Sequence, residues 1–253
     1  MTDYSGMFKN HDAQTERRLA SARRMRDVVC ADMEIGSLVD VGCGKGYLLA
    51  AFADAGIAVR GIEGPWIDNE ETAHPREDYR VHDLEQPLAE DRRYDLCACL
   101  EVAEHLSPGR GRGLVADLCA LSDRILFSAA VPGQGGVGHV NCRWQGDWAE
   151  DFAAAGYRCY DAYRARFAAS PEVLSWFAQN TLLFIRDGAD VPERIAPFEI
   201  APEAASLVRP GLYEEKRRKG RQRARKFRQR AEAAEAELAR ADAGSAGGPG
   251  RPA

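Results

Sequence analysis

The sequence predicts an α/β fold built on a mostly parallel sheet, and three observations predict it. Short apolar runs alternate with helix-length segments from Leu38 to Ile185, the pattern of a sheet covered by helices on both faces. One of those runs, Leu38-Val39-Asp40-Val41-Gly42, enters a glycine turn, and such a turn offers backbone N–H groups to a ligand at a helix start. After Asp187 prolines and then charged residues replace the apolar runs, so the sheet is complete by then.

Taken in order, Asp12 to Met33 reads as a helix, with Leu19, Ala20, Met25, Val28 and Val29 set among charges. The strand from Leu38 follows, then a helix from Tyr47 to Ala55 that Gly56 ends, since glycine tolerates the positive φ of a C-cap. Further strands are expected at Ile57 to Glu63, Tyr79 to Asp83, Tyr94 to Leu100, Arg124 to Ala130 and Tyr157 to Tyr163. A helix around Pro171 to Phe177 precedes the last strand, Thr181 to Ile185.

A chain of 253 residues with 45% hydrophobic content can bury one sizeable core. No stretch reaches the roughly 18 consecutive apolar residues of a membrane span. Met1 to Lys9 lacks the apolar run of a signal peptide. The seven cysteines are odd in number and scattered, so small buried thiols in a reducing cytoplasm are expected rather than a disulfide framework. The net charge of −5 is uneven: Lys216 to Arg230 holds ten Lys/Arg and no acid, which leaves −15 on the rest. An acidic body is unsuited to polyanions, so any nucleic-acid contact falls to the basic run or to a local patch. That run reads first as a solvated helix, with RNA, an anionic surface or an acidic partner as alternatives.

The glycine turn alone fits a dinucleotide enzyme nearly as well as other nucleoside binders. Two details separate them. The third glycine of the dinucleotide pattern would fall at Tyr47, and Asp40 at the strand end suits an ammonium group and repels a pyrophosphate. Glu63 ends the second strand, where an acid takes ribose hydroxyls. Asp83 ends the third, placed for an adenine amino group, with Leu84 beside the ring. A lone strand-end acid is as readily a turn cap. Three at successive strand ends favour a ligand along one edge.

Asp40-Val41-Gly42-Cys43-Gly44-Lys45-Gly46, Gly61-Ile62-Glu63-Gly64, His82-Asp83-Leu84 and Tyr94-Asp95-Leu96 through Glu101-Val102-Ala103-Glu104-His105-Leu106 resemble the ordered motifs of class I S-adenosylmethionine-dependent methyltransferases. The resemblance runs from about Leu38 to Arg186. It implies a Rossmann-like, seven-stranded, mostly parallel sheet whose last strand is antiparallel. It also implies S-adenosylmethionine as cofactor, held by Asp40, Gly42, Gly44, Glu63, Asp83, Leu84 and Glu101. The stretch from Phe127 through Gln134 to Asn141, with Trp144, Trp148 and Gln179 to Phe184, resembles a bacterial subgroup of small-molecule, sugar and secondary-metabolite tailoring enzymes. That subgroup carries Glu-Gln after the Asn, where this chain has Cys142-Arg143. The organisation expected is an N-terminal helical or lid segment over 1–36 and a methyltransferase domain over 37–187. A proline-containing linker over 188–213, a solvated C-terminal helix over 214–243 and a disordered tail over 244–253 follow.

For the chemistry, His139 in the glycine-rich loop after the fifth strand is the first candidate for a general base. Its alternative is a loop histidine that bonds backbone. Glu101, Glu104 and His105 would share one face of a helical turn and so form a possible divalent-metal set. The pattern resembles the metal motif of ubiquinone-pathway O-methyltransferases and of small-RNA 2′-O-methyltransferases, where a further histidine completes the site; His139 would be that residue here. Without metal, Glu104 and His105 support the loop. Trp144, Trp148, Tyr157 and Trp176 are either acceptor walls or core, and Tyr4, Met7, Phe8 and His11 either a closing segment or a disordered terminus. The preferred function is a methyltransferase acting on a small-molecule acceptor, a hydroxyl of a sugar or secondary metabolite. The alternatives are a metal-assisted RNA 2′-O-methyltransferase and a catalytically idle interaction module.

Overall fold

Alternate residues of each central strand face opposite sides of one sheet, so two cores form. Strand β1 (Ser37–Val41) sends Val39 and Val41 to one core and Leu38 to the other. Strand β4 (Leu96–Leu100) divides Cys97 and Cys99 from Leu96 and Ala98 in the same way. β5 (Arg124–Ser128) and β7 (Leu182–Arg186) repeat the division, with Phe127 and Phe184 in the first core and Leu126 and Leu183 in the second. Strands buried on both faces must be apolar throughout, which is why these runs stood out in the sequence. The computed structural model describes residues 15–69 and 71–245.

Helices α3 (Pro108–Leu121) and α4 (Gln145–Ala154) cover the first core through Leu114, Leu118, Trp148 and Phe152. Phe152 stacks on Phe184 with ring centroids 4.0 Å apart, and Phe127 meets both Trp148 and Phe152 at 5.3 Å. Burying each such ring contributes about 1.5–3 kcal/mol. The second core is covered by α1 (Thr15–Cys30), α2 (Tyr47–Ala53) and α5 (Arg164–Ala168), through Met25, Val29, Phe52 and Phe167. A further short helix, α6 (Ser175–Asn180), leads into β7.

With β2 (Ala58–Glu63), β3 (Tyr79–Val81), β6 (Tyr157–Tyr160) and β8 (Glu199–Ile200), the strand order is β3-β2-β1-β4-β5-β7-β6-β8. The pairs from β3 to β5 are parallel, and β7 runs antiparallel between β5 and β6. The C-terminal ends of β1, β2, β4 and β5 therefore share one edge. The antiparallel β7 agrees with what the resemblance implied.

Three features differ from expectation. The sheet has eight strands rather than seven, because β8 pairs with β6 through Cys159↔Ile200 and Tyr160↔Glu199. The segment expected as a linker is packed as far as Leu207: Ile195 and Ala205 are fully buried, and Ser206 Oγ accepts from Gly146 N–H at 3.0 Å. Its prolines start short 3₁₀ turns at 196–198 and 202–204 instead of breaking structure. The strand expected to reach Tyr163 stops at Tyr160, since Asp161 turns to hold Arg164 through two 2.8 Å contacts. Buried Arg164 also donates to Ala205 O at 2.7 Å, tying the proline segment down.

A second unit runs from Val208 and consists of α7 (Pro210–Ser245), 36 residues long. It begins four residues before the expected start. The expected lid residues Tyr4, Met7, Phe8 and His11 and most of the expected tail lie outside the described residues. No helix among the described residues is long and apolar enough to cross a membrane. All seven cysteines are free thiols.

Candidate functional site

The glycine turn leaves β1 with Gly42, Gly44 and Gly46 all at positive φ, a conformation that side chains with a Cβ resist. Sterics demand glycine as well. A Cβ on Gly42 would lie 2.3 Å from a Val102 methyl, and one on Gly46 would lie 1.9 Å from the Tyr79 hydroxyl. Gly42 N–H donates to Ile62 O at 2.8 Å, which locks the turn beside the end of β2.

Glu63 closes that end. Its carboxylate accepts from Gly44 N–H at 2.6 Å and from Gly64 N–H at 2.8 Å. Burial raises its pKa, while those two N–H groups and the Trp66 indole pull it back toward the ionised form. Asp40 is buried nearby, and burial, then the Glu63 charge, push its carboxyl up to about 8. Two buried acids this close favour a cationic ligand, which would stabilise the ionised forms of both. Asp83 instead caps its own turn: its Oδ1 accepts from Glu85 N–H at 3.1 Å. Leu84 beside it is buried.

Glu101, just beyond β4, is the one non-glycine residue at positive φ among the described residues, a strain of about 1–3 kcal/mol. Ser128 at the end of β5 holds it, accepting from Glu101 N–H through its carbonyl at 2.9 Å and its hydroxyl at 3.1 Å. Asn180 and Gln134 donate to the two carboxylate oxygens at 3.0 and 3.1 Å, and Asn180 also donates to Gln134 at 2.9 Å. Burial pushes the Glu101 carboxyl up to about 7 despite these bonds. Sequence reasoning missed the part played by Gln134 and Asn180. Polar amides beside apolar strand residues were the available signal.

A different trio gathers next to this knot. Glu104 O accepts from both Val140 N–H and Asn141 N–H at 2.9 Å, which lays the loop carrying His139 on the turn Ala103–His105. Glu104, His105 and His139 then present one ligand atom each within 4.8 Å of one another. The Glu104 carboxyl is fully buried, and burial, then the Glu101 charge, raises its pKa well above the usual range, only partly offset by the backbone N–H groups of Glu104 and Ala130. Glu104 Oε1 lies 4.0 Å from His139 Nε2. Burial, then His139, lowers His105 to about 4, so its imidazole is neutral at pH 7. Of the expected metal set, Glu101 is not in this group, because the Asn180 and Gln134 amides occupy its carboxylate. His139 takes its place.

Among the aromatic candidates, Trp148 and Tyr157 are core residues. Trp148 packs on Phe127, and the Tyr157 hydroxyl donates to Ser122 O at 2.7 Å. Trp144 is exposed at the start of α4, and Trp176 is half-buried.

Comparison with known proteins bears on the fold and on residues 12–121. The family described as "Methyltransferase domain" matches residues 12–121. The ubiquinone biosynthesis O-methyltransferase of Methylobacterium sp. (strain 4-46) is 36% identical over 77 residues, or 28% of this chain; the match covers 31% of that protein, so the chain spans less than a third of the curated relative. Two solved structures share the fold. DesVI of Streptomyces venezuelae has a TM-score of 0.55 at 13% identity, over 74% of this chain and 99% of its own. CalS10 of Micromonospora echinaspora, an amino pentose methyltransferase solved with bound S-adenosylmethionine, has 0.52 at 14%, over 70% and 96%. The strand order and the glycine turn after β1 define a Rossmann-like domain. More particularly, residues 12–121 are similar to a methyltransferase domain.

Proposed function

We propose that this protein transfers a methyl group from S-adenosylmethionine to a hydroxyl of a small molecule, a sugar or a secondary metabolite. The observation that carries the donor half is the pair of buried acids, Asp40 and Glu63, against a glycine turn that admits no Cβ. In this reading Asp40 takes the methionine ammonium and Glu63 the ribose hydroxyls, with Gly42 and Gly44 allowing close approach. Asp83 and Leu84 lie along the adenine, and Glu101 borders the methionine end. The acceptor class is taken from the similarity to an O-methyltransferase and to an amino pentose methyltransferase.

His139 is the proposed base. The acceptor oxygen attacks the sulfonium methyl in line, its O–H proton passes to the imidazole, and the electrons of the breaking C–S bond remain on sulfur as S-adenosylhomocysteine leaves. Glu104, 4.0 Å away, would stabilise the imidazolium once ionised. Alignment supplies much of the rate. Labelled S-adenosylmethionine offered with a panel of sugars and hydroxylated metabolites tests the reading. Label transferred to a hydroxyl supports it, and transfer only to nitrogen or carbon acceptors removes the hydroxyl assignment.

A second reading follows from Glu104, His105 and His139 together. A buried carboxyl beside two imidazoles fits a divalent cation. Such an ion would polarise an acceptor hydroxyl, with these three residues holding it and His139 then unavailable as base. Calorimetric titration with Mg²⁺ or Zn²⁺ separates the readings, since Glu104→Gln should abolish metal binding. Full activity in a chelator leaves the metal-free reading.

A further inference from the structure

The basic run of α7 is an interaction surface independent of methyl transfer. Successive residues of an α-helix turn by about 100°. Arg217, Arg218, Arg221, Arg225 and Arg228 therefore fall on one flank of α7. Lys216, Lys219, Arg223, Lys226 and Arg230 fall on the other, with the mean directions of the two flanks about 170° apart. Gly220, Ala224 and Ala231 lie between the stripes on one side, joined by Phe227, and Gln222 and Gln229 lie between them on the other. Residues from Arg217 to Arg230 are all exposed.

This layout restricts the partner. The like charges along each flank repel one another at i,i+3 and i,i+4 spacing, relieved at the start of the second flank, where Lys219 pairs with Glu215, so the helix gains from a partner that neutralises both flanks together. A flat anionic membrane meets one flank, and α7 has no apolar stripe to sink into lipid. Single strands call for stacking aromatics, and Phe227 is the one aromatic in the run. A groove with phosphates on both walls meets both stripes. An α-helix of about 10–12 Å diameter fits the major groove of B-form DNA, whereas the A-form major groove is too narrow.

We propose that α7 seats in the major groove of duplex DNA, each basic stripe against one phosphate wall. The interleaved small residues and glutamines allow close approach without dictating sequence. Contacts of this kind release counterions, so affinity falls steeply with salt.

The test is fluorescence anisotropy of a labelled B-form DNA duplex titrated with the full chain between about 50 and 200 mM salt. Two variants each replace one stripe with glutamine, R217Q/R218Q/R221Q/R225Q/R228Q and K216Q/K219Q/R223Q/K226Q/R230Q. Each should weaken binding at low salt by at least about 100-fold and reduce the log–log salt slope by about 4. Removing repulsion should leave helicity by circular dichroism equal or higher, which separates lost contacts from unfolding. Loss of binding in only one variant, or in neither, overturns the proposal. So does equal affinity for single-stranded DNA, an A-form RNA duplex or phosphatidylserine vesicles.

Discussion

The two halves of the site treat their buried acids in opposite ways. On the proposed donor side, Glu63 is bonded by two backbone N–H groups and closes a turn with no room for a Cβ at Gly42 or Gly46. On the proposed acceptor side, Glu104 is equally buried, yet its carboxyl lacks the short backbone bonds that Glu63 makes, and its pKa is raised well above the usual range. A satisfied buried acid is part of the architecture, whereas an unsatisfied one costs stability until a ligand, a proton or a cation answers it. In the proposed reading the donor half is complete as backbone, and the acceptor half awaits a ligand.

The largest effect expected from this contrast is at Glu63. Glu63→Ala leaves the Gly44 and Gly64 N–H groups unbonded, which should cost about 2–4 kcal/mol of stability. Calorimetry should also show S-adenosylmethionine binding weakened by about 100-fold or more, the loss of charge-assisted bonds worth about 3 kcal/mol. Next comes Asn180→Ala. It strips one carboxylate oxygen of Glu101 of its donor at a strained backbone position, and chemical denaturation should register about 1–3 kcal/mol. Its effect on cofactor affinity should be smaller than that at Glu63.

The pH response is subtler. Asp40 binds its proton more tightly in the folded protein, at about 8 against the usual 3.8. It therefore favours the ligand-free fold at low pH, and that contribution fades as pH rises from about 4 to about 8. A cationic ligand reverses the preference. Affinity for S-adenosylmethionine should rise with pH by up to about tenfold per unit below 8, and Asp40→Asn should flatten that dependence. The smallest effect is at Glu104. Since burial, then the Glu101 charge, raises its carboxyl well above the usual range, Glu104→Gln should leave the melting temperature of metal-free protein within about 2 °C. A loss like that at Glu63 would erase the contrast.

The donor half was legible because its constraints are local in sequence. Asp40, the three glycines and Glu63 lie on consecutive strands, and each residue type has one physical reason to be there. The Glu101 knot draws Ser128 and Gln134 from the end of β5 and its loop and Asn180 from α6, and only the sheet order brings them together. Neither the positive φ at Glu101 nor its amide clamp leaves a mark in spacing, so Glu101 read as a metal ligand alongside Glu104 and His105. The same limit applies after Asp187. Prolines suggested a linker, but Arg164 and Gly146 hold the segment through contacts with its backbone carbonyl and Ser206, which no hydrophobic pattern records.

The most direct test is isothermal titration of the full chain with S-adenosylmethionine in two buffers of different ionisation enthalpy at pH 7. The account predicts one site per chain, proton release as Asp40 ionises, and loss of that release in Asp40→Asn. Absence of binding, or binding indifferent to both Asp40→Asn and Glu63→Ala, would contradict it.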